Sequence, residues 1–277
     1  MVNMELEILR TIQKIANPFL DVLFQIITMF GEDSLAIVVM AVIYWNYDKK
    51  FGEYIAYSAL TSASINGMIK NIFKVKRPIG EEGIRSLRTE TAGGYSFPSG
   101  HSQGAASFYG AVAVYLRKKW VSILCIITIL AVGFSRMYLG VHWPKDVVGG
   151  ILLGGACAYV TYKIYSKFEN KQLVYWITFV ILLSGITFAR TADYFKALGA
   201  YLGFVLAMYI EKKYVNFSVE GNLCNKILRV VIGLAILLIM KSGLKILFPN
   251  QMIFHFIRYM CITFFGMGIY PMLFKKI

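Results

Sequence analysis

Residues 120–165 read WVSILCIITILAVGFSRMYLGVHWPKDVVGGILLGGACAYVTYKIY: two apolar runs, 120–138 and 144–165, joined by a short polar turn. Each run has about the 20 residues that a helix needs to cross the hydrocarbon core of a bilayer. In lipid every backbone N–H and C=O must be satisfied within its own segment, so runs of this length are helices and not open strands. Working outward, comparable runs occupy 52–73, 98–117, 172–189, 194–211, 226–247 and 251–272. A shorter one, 34–47, ends on Tyr44, Trp45 and Tyr47, the aromatic residues expected at a membrane interface. The expectation is an all-α, polytopic transmembrane helical bundle of about nine spans.

Composition agrees with that class and excludes others. Of the 277 residues, 57% are hydrophobic and only 16% charged, against about a quarter charged in soluble domains. Disorder, coiled coil and most water-soluble architectures are thereby ruled out. The formal net charge of +14 would point to nucleic acid in a soluble domain, but here the cations gather at the ends of apolar runs. The partner they imply is the lipid bilayer or an anionic substrate, and no nucleic acid is expected. Cys125, Cys157 and Cys261 lie inside apolar runs and no CxxC pair occurs, so neither a disulfide framework nor a thiolate metal site is expected. The first residues carry Glu5 and Glu7 in place of a basic region, so the first spans are expected to serve as the targeting signal. Leu9, Ile12, Ala16, Leu20, Leu23, Ile27 and Phe30 recur at three- and four-residue steps around an Asn17-Pro18 break. That pattern predicts an interfacial amphipathic segment, with a kinked extra span as the other reading.

Lys and Arg in short loops set the orientation. In a nine-span chain Lys49/Lys50, Arg117 to Lys119, Lys163/Lys167/Lys171, Lys212/Lys213 and Lys275/Lys276 fall on one side, the expected cytoplasmic one. The other side holds the long connection 74–97, the turn 139–143 and the turn around Arg190 to Lys196. Lys70, Lys74, Lys76, Arg77, Arg85 and Arg88, with Lys241 and Lys245, stand on that outer side against the rule. Cations placed there need a local reason, such as an anion to hold.

Three polar clusters mark the outward ends of these spans. In the first, Lys70 and Arg77 stand seven residues apart on one helix face before Pro78; snorkelling cations at a helix end are the plain alternative. In the second, Phe97-Pro98-Ser99-Gly100-His101 opens an apolar run rich in small residues. A helix start offers free N–H groups and a positive dipole end to an anion, and Gly100 permits close backbone approach. The alternative is an ordinary Ser99 cap with a buried His101. In the third, Ser135-Arg136 precede His142 and Asp146, a histidine four residues from a carboxylate at the start of a Pro144 helix. A carboxylate orients such a histidine and makes it a better base or nucleophile. Cations, two histidines, one carboxylate and a helix N-terminus on one membrane face together suit a phosphoryl group.

Lys70 with Arg77-Pro78, then Pro98-Ser99-Gly100-His101, then Ser135-Arg136 with His142 and Asp146 resembles the complete three-part signature of the type 2 phosphatidic acid phosphatase superfamily. The signature covers residues 70–146, and its order and spacing are specific. The resemblance implies that Lys70, Arg77 and Arg136 clamp the phosphoryl oxygens, with Ser99 and the Gly100 N–H completing the cradle. It implies that His142 attacks phosphorus to form a phosphohistidine, that Asp146 holds its other ring nitrogen, and that His101 protonates the leaving oxygen. No metal or other cofactor is expected, because Glu81, Glu82, Glu90 and Asp146 show no metal-ligand spacing. The implied substrate is a membrane lipid phosphate or diphosphate: undecaprenyl diphosphate, phosphatidic acid or phosphatidylglycerol phosphate. A soluble sugar phosphate, as for glucose-6-phosphatase, and a non-catalytic lipid-binding or transport role are the competing readings.

The expected organisation is an N-terminal amphipathic segment (1–33), a phosphatase core (34–166) and additional transmembrane helices (167–277) in the same bundle. Arg85, Arg88 and Tyr95 in the 80–97 loop, and Arg190 beyond the core, are candidate head-group or lid residues; a plain hydrated loop and a solvated turn are the alternatives. His255 is expected to be a packed or interfacial histidine. Arg258, a charge this close to an apolar span, should face the bundle or snorkel. The expected setting is the cell membrane, with the site on the extracytoplasmic side.

Overall fold

The computed structural model describes residues 2–275, so Lys276 of the expected cytoplasmic cations lies outside it. Among the described residues the regular elements are all helices and no strand occurs. The long helices are α1 (Val2–Gln13), α2 (Pro18–Met29), α3 (Asp33–Asn46), α4 (Lys49–Phe73), α5 (Gly100–Leu116), α6 (Lys119–Tyr138), α7 (Pro144–Lys167), α8 (Lys171–Leu183), α9 (Ala192–Ile210), α10 (Leu223–Leu247) and α11 (Met252–Phe264). Helices α3 to α11 occupy the nine ranges read as spans. Four of them (α6, α7, α10 and α11 with its continuation to Phe274) are long and apolar enough to cross a membrane, or five if α2 and α3, bent by 47° at their break, make one broken span. On α6, Ile123, Leu124, Ile126, Ile127 and Leu130 are exposed while Ser135 and Arg136 are fully buried. Apolar outside and polar inside is the pattern of a helix facing lipid.

The chain forms two compact units, 1–36 with 68–162 and 37–67 with 163–277, the division falling inside α3, α4 and α7. In the first unit α6 packs on α5, α2 and α1. Asn17 caps α2 by accepting the Leu20 N–H, with Pro18 at the first helical position. The apolar residues Ile12, Ala16, Leu20 and Phe24 of the N-terminal helices pack on a core of Ala92, Tyr138, Leu139 and Val141. Small residues bring the site-bearing helices together. A Cβ at Gly150 of α7 would lie 2.7 Å from the Ser99 carbonyl oxygen, and one at Gly154 would overlap that of Gln103. The start of α5 is therefore seated directly on α7.

In the second unit α9 packs closely along α11, where the backbones of Phe256 and Met260 meet Gly199 and Gly203 in turn. Both pairs run in the same chain direction, so the two helices are parallel. Tyr57, Tyr175, Tyr201 and Phe204 form a ring cluster with centroids 4.8–6.5 Å apart. Tyr44 and Trp45 donate to the carbonyls of Met267 and Gly266.

Candidate active site

The three clusters meet within the first unit. Asp146, in the first turn of α7, is fully buried. Its Oδ2 accepts from the Trp143 N–H at 2.8 Å and from the Ser96 hydroxyl, and lies 3.4 Å from Nδ1 of His142. With the Nδ1 proton directed at that carboxylate, Nε2 keeps its lone pair, and Nε2 lies 2.8 Å from Nη1 of Arg77. The Arg77 guanidinium thus stands directly against the ring nitrogen that Asp146 leaves free. His142 sits between α6 and α7 and is 1% exposed. Burial, then the charges of Arg77, Arg136 and Lys70, hold its imidazole well below the ordinary histidine range, so the ring is neutral at pH 7.

Arg77 and Lys70 are fixed by a run of backbone carbonyls. Arg77 donates to Gly93 O (2.7 Å), Gly94 O (3.1 Å) and Val141 O (2.9 Å), and Lys70 Nζ donates to Tyr95 O (2.7 Å). Tyr95 therefore contributes its carbonyl to the site. Arg136 is fully buried on α6, bonded through Nη1 to the Thr28 hydroxyl at 2.9 Å and more weakly to Thr91, while its Nε meets no partner. Ser99 caps α5 and accepts from Ser102 Oγ at 3.0 Å; its own N–H donates to the Asp146 carbonyl at 2.9 Å. Gly100 opens α5, and His101 follows in its first turn. Nε2 of His101 is buried without a hydrogen-bond partner, 4.0 Å from the Glu32 carboxylate. Arg136, Arg77, Arg88 and Lys70 all stand within electrostatic reach of His101.

The loop residues fall differently. Arg85 forms a two-pronged ion pair with Asp21 at 2.6 Å, and Arg88 pairs with Glu32 at 2.5 Å, so both are tied to the N-terminal helices. Leu87 N–H to Leu139 O (2.9 Å) and Ser86 to Gly140 O (3.0 Å) fasten the same loop to the turn after α6. Arg190 belongs to the second unit, exposed just before α9. Thr28, Glu32, Thr91 and Ser96 were not singled out from sequence. Scattered Thr, Glu and Ser carry no spacing signal, and only the folded contacts give them their places. Among the described residues no three His, Cys, Asp or Glu side chains stand close enough to hold a metal ion.

The site-bearing stretch matches a known family. Residues 51–170 match the PAP2 superfamily model, and residues 195–277 match the transmembrane extension of PAP2 superfamily phosphatases. An undecaprenyl-diphosphatase of Sulfolobus acidocaldarius is 31% identical over 149 residues, 53% of this chain and 71% of that protein. The chain belongs to the PAP2 superfamily. Phosphatidylglycerophosphatase B of Bacillus subtilis is 45% identical over 69 residues, a stretch that makes 22% of this chain and 34% of that protein. Among solved PAP2 structures, the transmembrane phosphatidylglycerolphosphate phosphatase of Bacillus subtilis is similar at a TM-score of 0.53 and 28% identity, over 61% of this chain and 87% of that one. Aquifex aeolicus LpxE shares the fold at a TM-score of 0.51 over 57% of this chain and 94% of that one. This is a multi-pass membrane member of the superfamily, and its C-terminal helices form the extension that the 70–146 signature does not reach.

Proposed function

We propose that this PAP2 protein hydrolyses the phosphomonoester or diphosphate of a membrane lipid, with its site on the extracytoplasmic face and a phosphohistidine as intermediate. The observation that carries the reading is His142 itself: one ring nitrogen on Asp146, the other 2.8 Å from the Arg77 guanidinium. In the proposed step Nε2 attacks phosphorus, and the bond from phosphorus to the lipid oxygen breaks. His101 gives that oxygen a proton, and His142, now phosphorylated at Nε2, keeps its Nδ1–H on Asp146. Water then attacks the phosphohistidine and gives up a proton to His101, releasing phosphate and restoring both histidines. Lys70, Arg77, Arg136 and the start of α5 with Ser99 and Gly100 supply positive charge to the transferring group, a role that preorganised donors perform best when dry and fixed. With that charge supplied by side chains, turnover is proposed to need no metal ion.

Undecaprenyl diphosphate, phosphatidic acid and phosphatidylglycerol phosphate are the proposed substrate candidates. The names borne by the similar proteins, undecaprenyl-diphosphatase and phosphatidylglycerophosphatase, support a lipid over a soluble sugar phosphate. The nine-span topology, with 74–97 and 139–143 outside, is part of the same proposal and is supported by the parallel course of α9 and α11, which an even number of crossings between their starts requires.

The test is phosphate release by the purified protein in detergent with chelator present, over those three lipids and glucose 6-phosphate, beside His142→Ala. Release that vanishes in the variant supports a metal-independent histidine nucleophile. Tight lipid binding with no release by the wild type would favour the non-catalytic reading instead.

A further inference from the structure

The extension holds a buried cation that no anion answers. Arg258 of α11 is 7% exposed, its Nε is buried without a partner, and among the described residues its one hydrogen-bond contact is from Nη2 to Nδ1 of His255. His255, one turn earlier, is 9% exposed. A guanidinium has five N–H donors, and among the described residues they meet a single acceptor, the His255 ring. An unpaired ion away from water is unfavourable, and within membrane helices such groups pair or mark a binding path. The carboxylate of Asp193 is already bonded to Lys196 at 2.8 Å; both lie within electrostatic reach of His255.

The surroundings repeat the imbalance. Because α9 and α11 run parallel, their first turns share one end of the unit. Arg190 and Lys196 stand at the start of α9, His255 and Arg258 in the first two turns of α11, and Lys241 and Lys245 in the last two turns of α10, which the 248–251 turn joins to α11. Against these five Lys and Arg, residues 185–200 and 240–260 contain one carboxylate, Asp193. Two helix N-termini add partial positive charge at the same end. Ile246 and Leu247 beside it are 85% and 75% exposed, an apolar wall suited to an acyl chain.

We propose that this end of the extension is an anion site in which Arg258, supported by His255 and Lys196, holds the phosphate of an anionic membrane lipid. Arginine suits the task, since its planar fork meets phosphate oxygens two at a time. The site lies wholly in the second unit and rests on none of the proposed catalytic chemistry. Free phosphate shares the recognising chemistry, so the test separates the two sources.

Thermal unfolding of the full-length protein in neutral detergent would be followed with added phosphatidylglycerol, phosphatidylcholine or inorganic phosphate, for wild type, Arg258→Met and Lys196→Gln. Phosphatidylglycerol should raise the wild-type midpoint over phosphatidylcholine by on the order of 5 °C. Arg258→Met should lose most of that rise while unfolding in phosphatidylcholine no earlier than wild type, because replacing an uncompensated buried charge by an apolar side chain is often neutral or stabilising. The catalytic cluster also takes phosphate, so the loss in the variant is the deciding reading. A rise given equally by inorganic phosphate and lost in Arg258→Met keeps the site and reassigns it to a soluble anion. An undiminished rise in Arg258→Met, or a variant destabilised alike in every lipid, overturns the proposal. Should Arg258→Met not fold, Lys196→Gln decides: a reduced rise supports the site and an unchanged one overturns it.

Discussion

At the scale of single residues the site turns on which atoms of His142 are free to react. Its folded proton affinity is depressed, with burial the first cause and Arg77 the second. The ring therefore stays neutral as pH falls through the usual histidine value of about 6.5. With His142 as the proposed nucleophile, the acid limb of kcat/KM should lie below pH 6.5, once the substrate's own second ionisation near pH 6 is corrected for. The same depression makes a stability statement. The unfolded chain takes up the proton near pH 6.5 and the folded one does not, so this group's contribution is present above that pH and is lost as pH falls below it. Asp146→Asn leaves the packing intact but turns an acceptor of three donors into a group that itself donates. Hydrolysis should fall by about 100-fold to 10,000-fold, in kcat more than in KM; a loss confined to KM would move Asp146 out of the reacting set. Arg77→Lys keeps the charge but cannot span the carbonyls of Gly93, Gly94 and Val141, and should lower kcat/KM by about 10-fold or more. His142, Asp146, Arg77 and Arg136 could be singled out in the sequence because they belong to one three-part signature, and the structure brings them together; the shared helix face expected for Lys70 and Arg77 is absent, because α4 ends at Phe73 and Arg77 stands in the loop beyond it. The groups that hold the site residues could not be singled out. Thr28, which bonds Arg136, and Glu32, which faces His101, sit in the N-terminal segment, far away in the chain and unmarked by any spacing.

At the scale of elements, run length and hydropathy located the helices from α3 to α11, because a helix in lipid must satisfy its own backbone and so follows the apolar run. The N-terminal segment was harder to read. The apolar stripe and the Asn17-Pro18 break both appear in the structure, but a stripe does not say whether its partner is lipid or protein, and here Ile12, Ala16, Leu20 and Phe24 meet the core around Tyr138. Close approach of helices is likewise invisible until the neighbour is known. Gly150 and Gly154 let α7 carry the Ser99 and Gln103 carbonyls against its own surface, only one and two turns beyond Asp146. A branched side chain there must push α5 away, and with it Ser99, Gly100 and His101. Gly154→Val should lower stability by about 1–3 kcal/mol through overpacking, read as a lower unfolding midpoint in detergent. Activity should fall further than the folded fraction does. Gly155→Val, one residue on, where an added Cβ meets nothing within 4 Å, should leave both unchanged.

For the molecule as a whole, cation placement argues orientation from two directions. The loops assigned to the cytoplasm carry Lys49, Lys50, Arg117, Lys118, Lys119, Lys163, Lys167 and Lys171, as the bias toward positive charge inside requires. The side expected to be outer carries Lys70, Lys74, Lys76, Arg77, Arg85, Arg88, Lys241 and Lys245, and for four of them the contacts supply a local reason: carbonyls that fix Lys70 and Arg77 beside His142, and the carboxylates of Asp21 and Glu32 for Arg85 and Arg88. Cations neutralised or committed in this way no longer count as free positive charge in a loop, so these four do not weigh against the proposed topology. The expectation can be read with single cysteines in a background where Cys125, Cys157, Cys224 and Cys261 are replaced. A membrane-impermeant maleimide applied to intact cells should label a cysteine at Glu81, in the exposed part of the 74–97 connection, and should not label one at Lys118 until the membrane is permeabilised. Labelling of Lys118→Cys from outside, with Glu81→Cys protected, would place the histidines on the inner face. Since the contact between His142 and Arg77 does not depend on orientation, the proposed chemistry would then stand and its lipid would have to present its phosphate from the cytoplasmic leaflet.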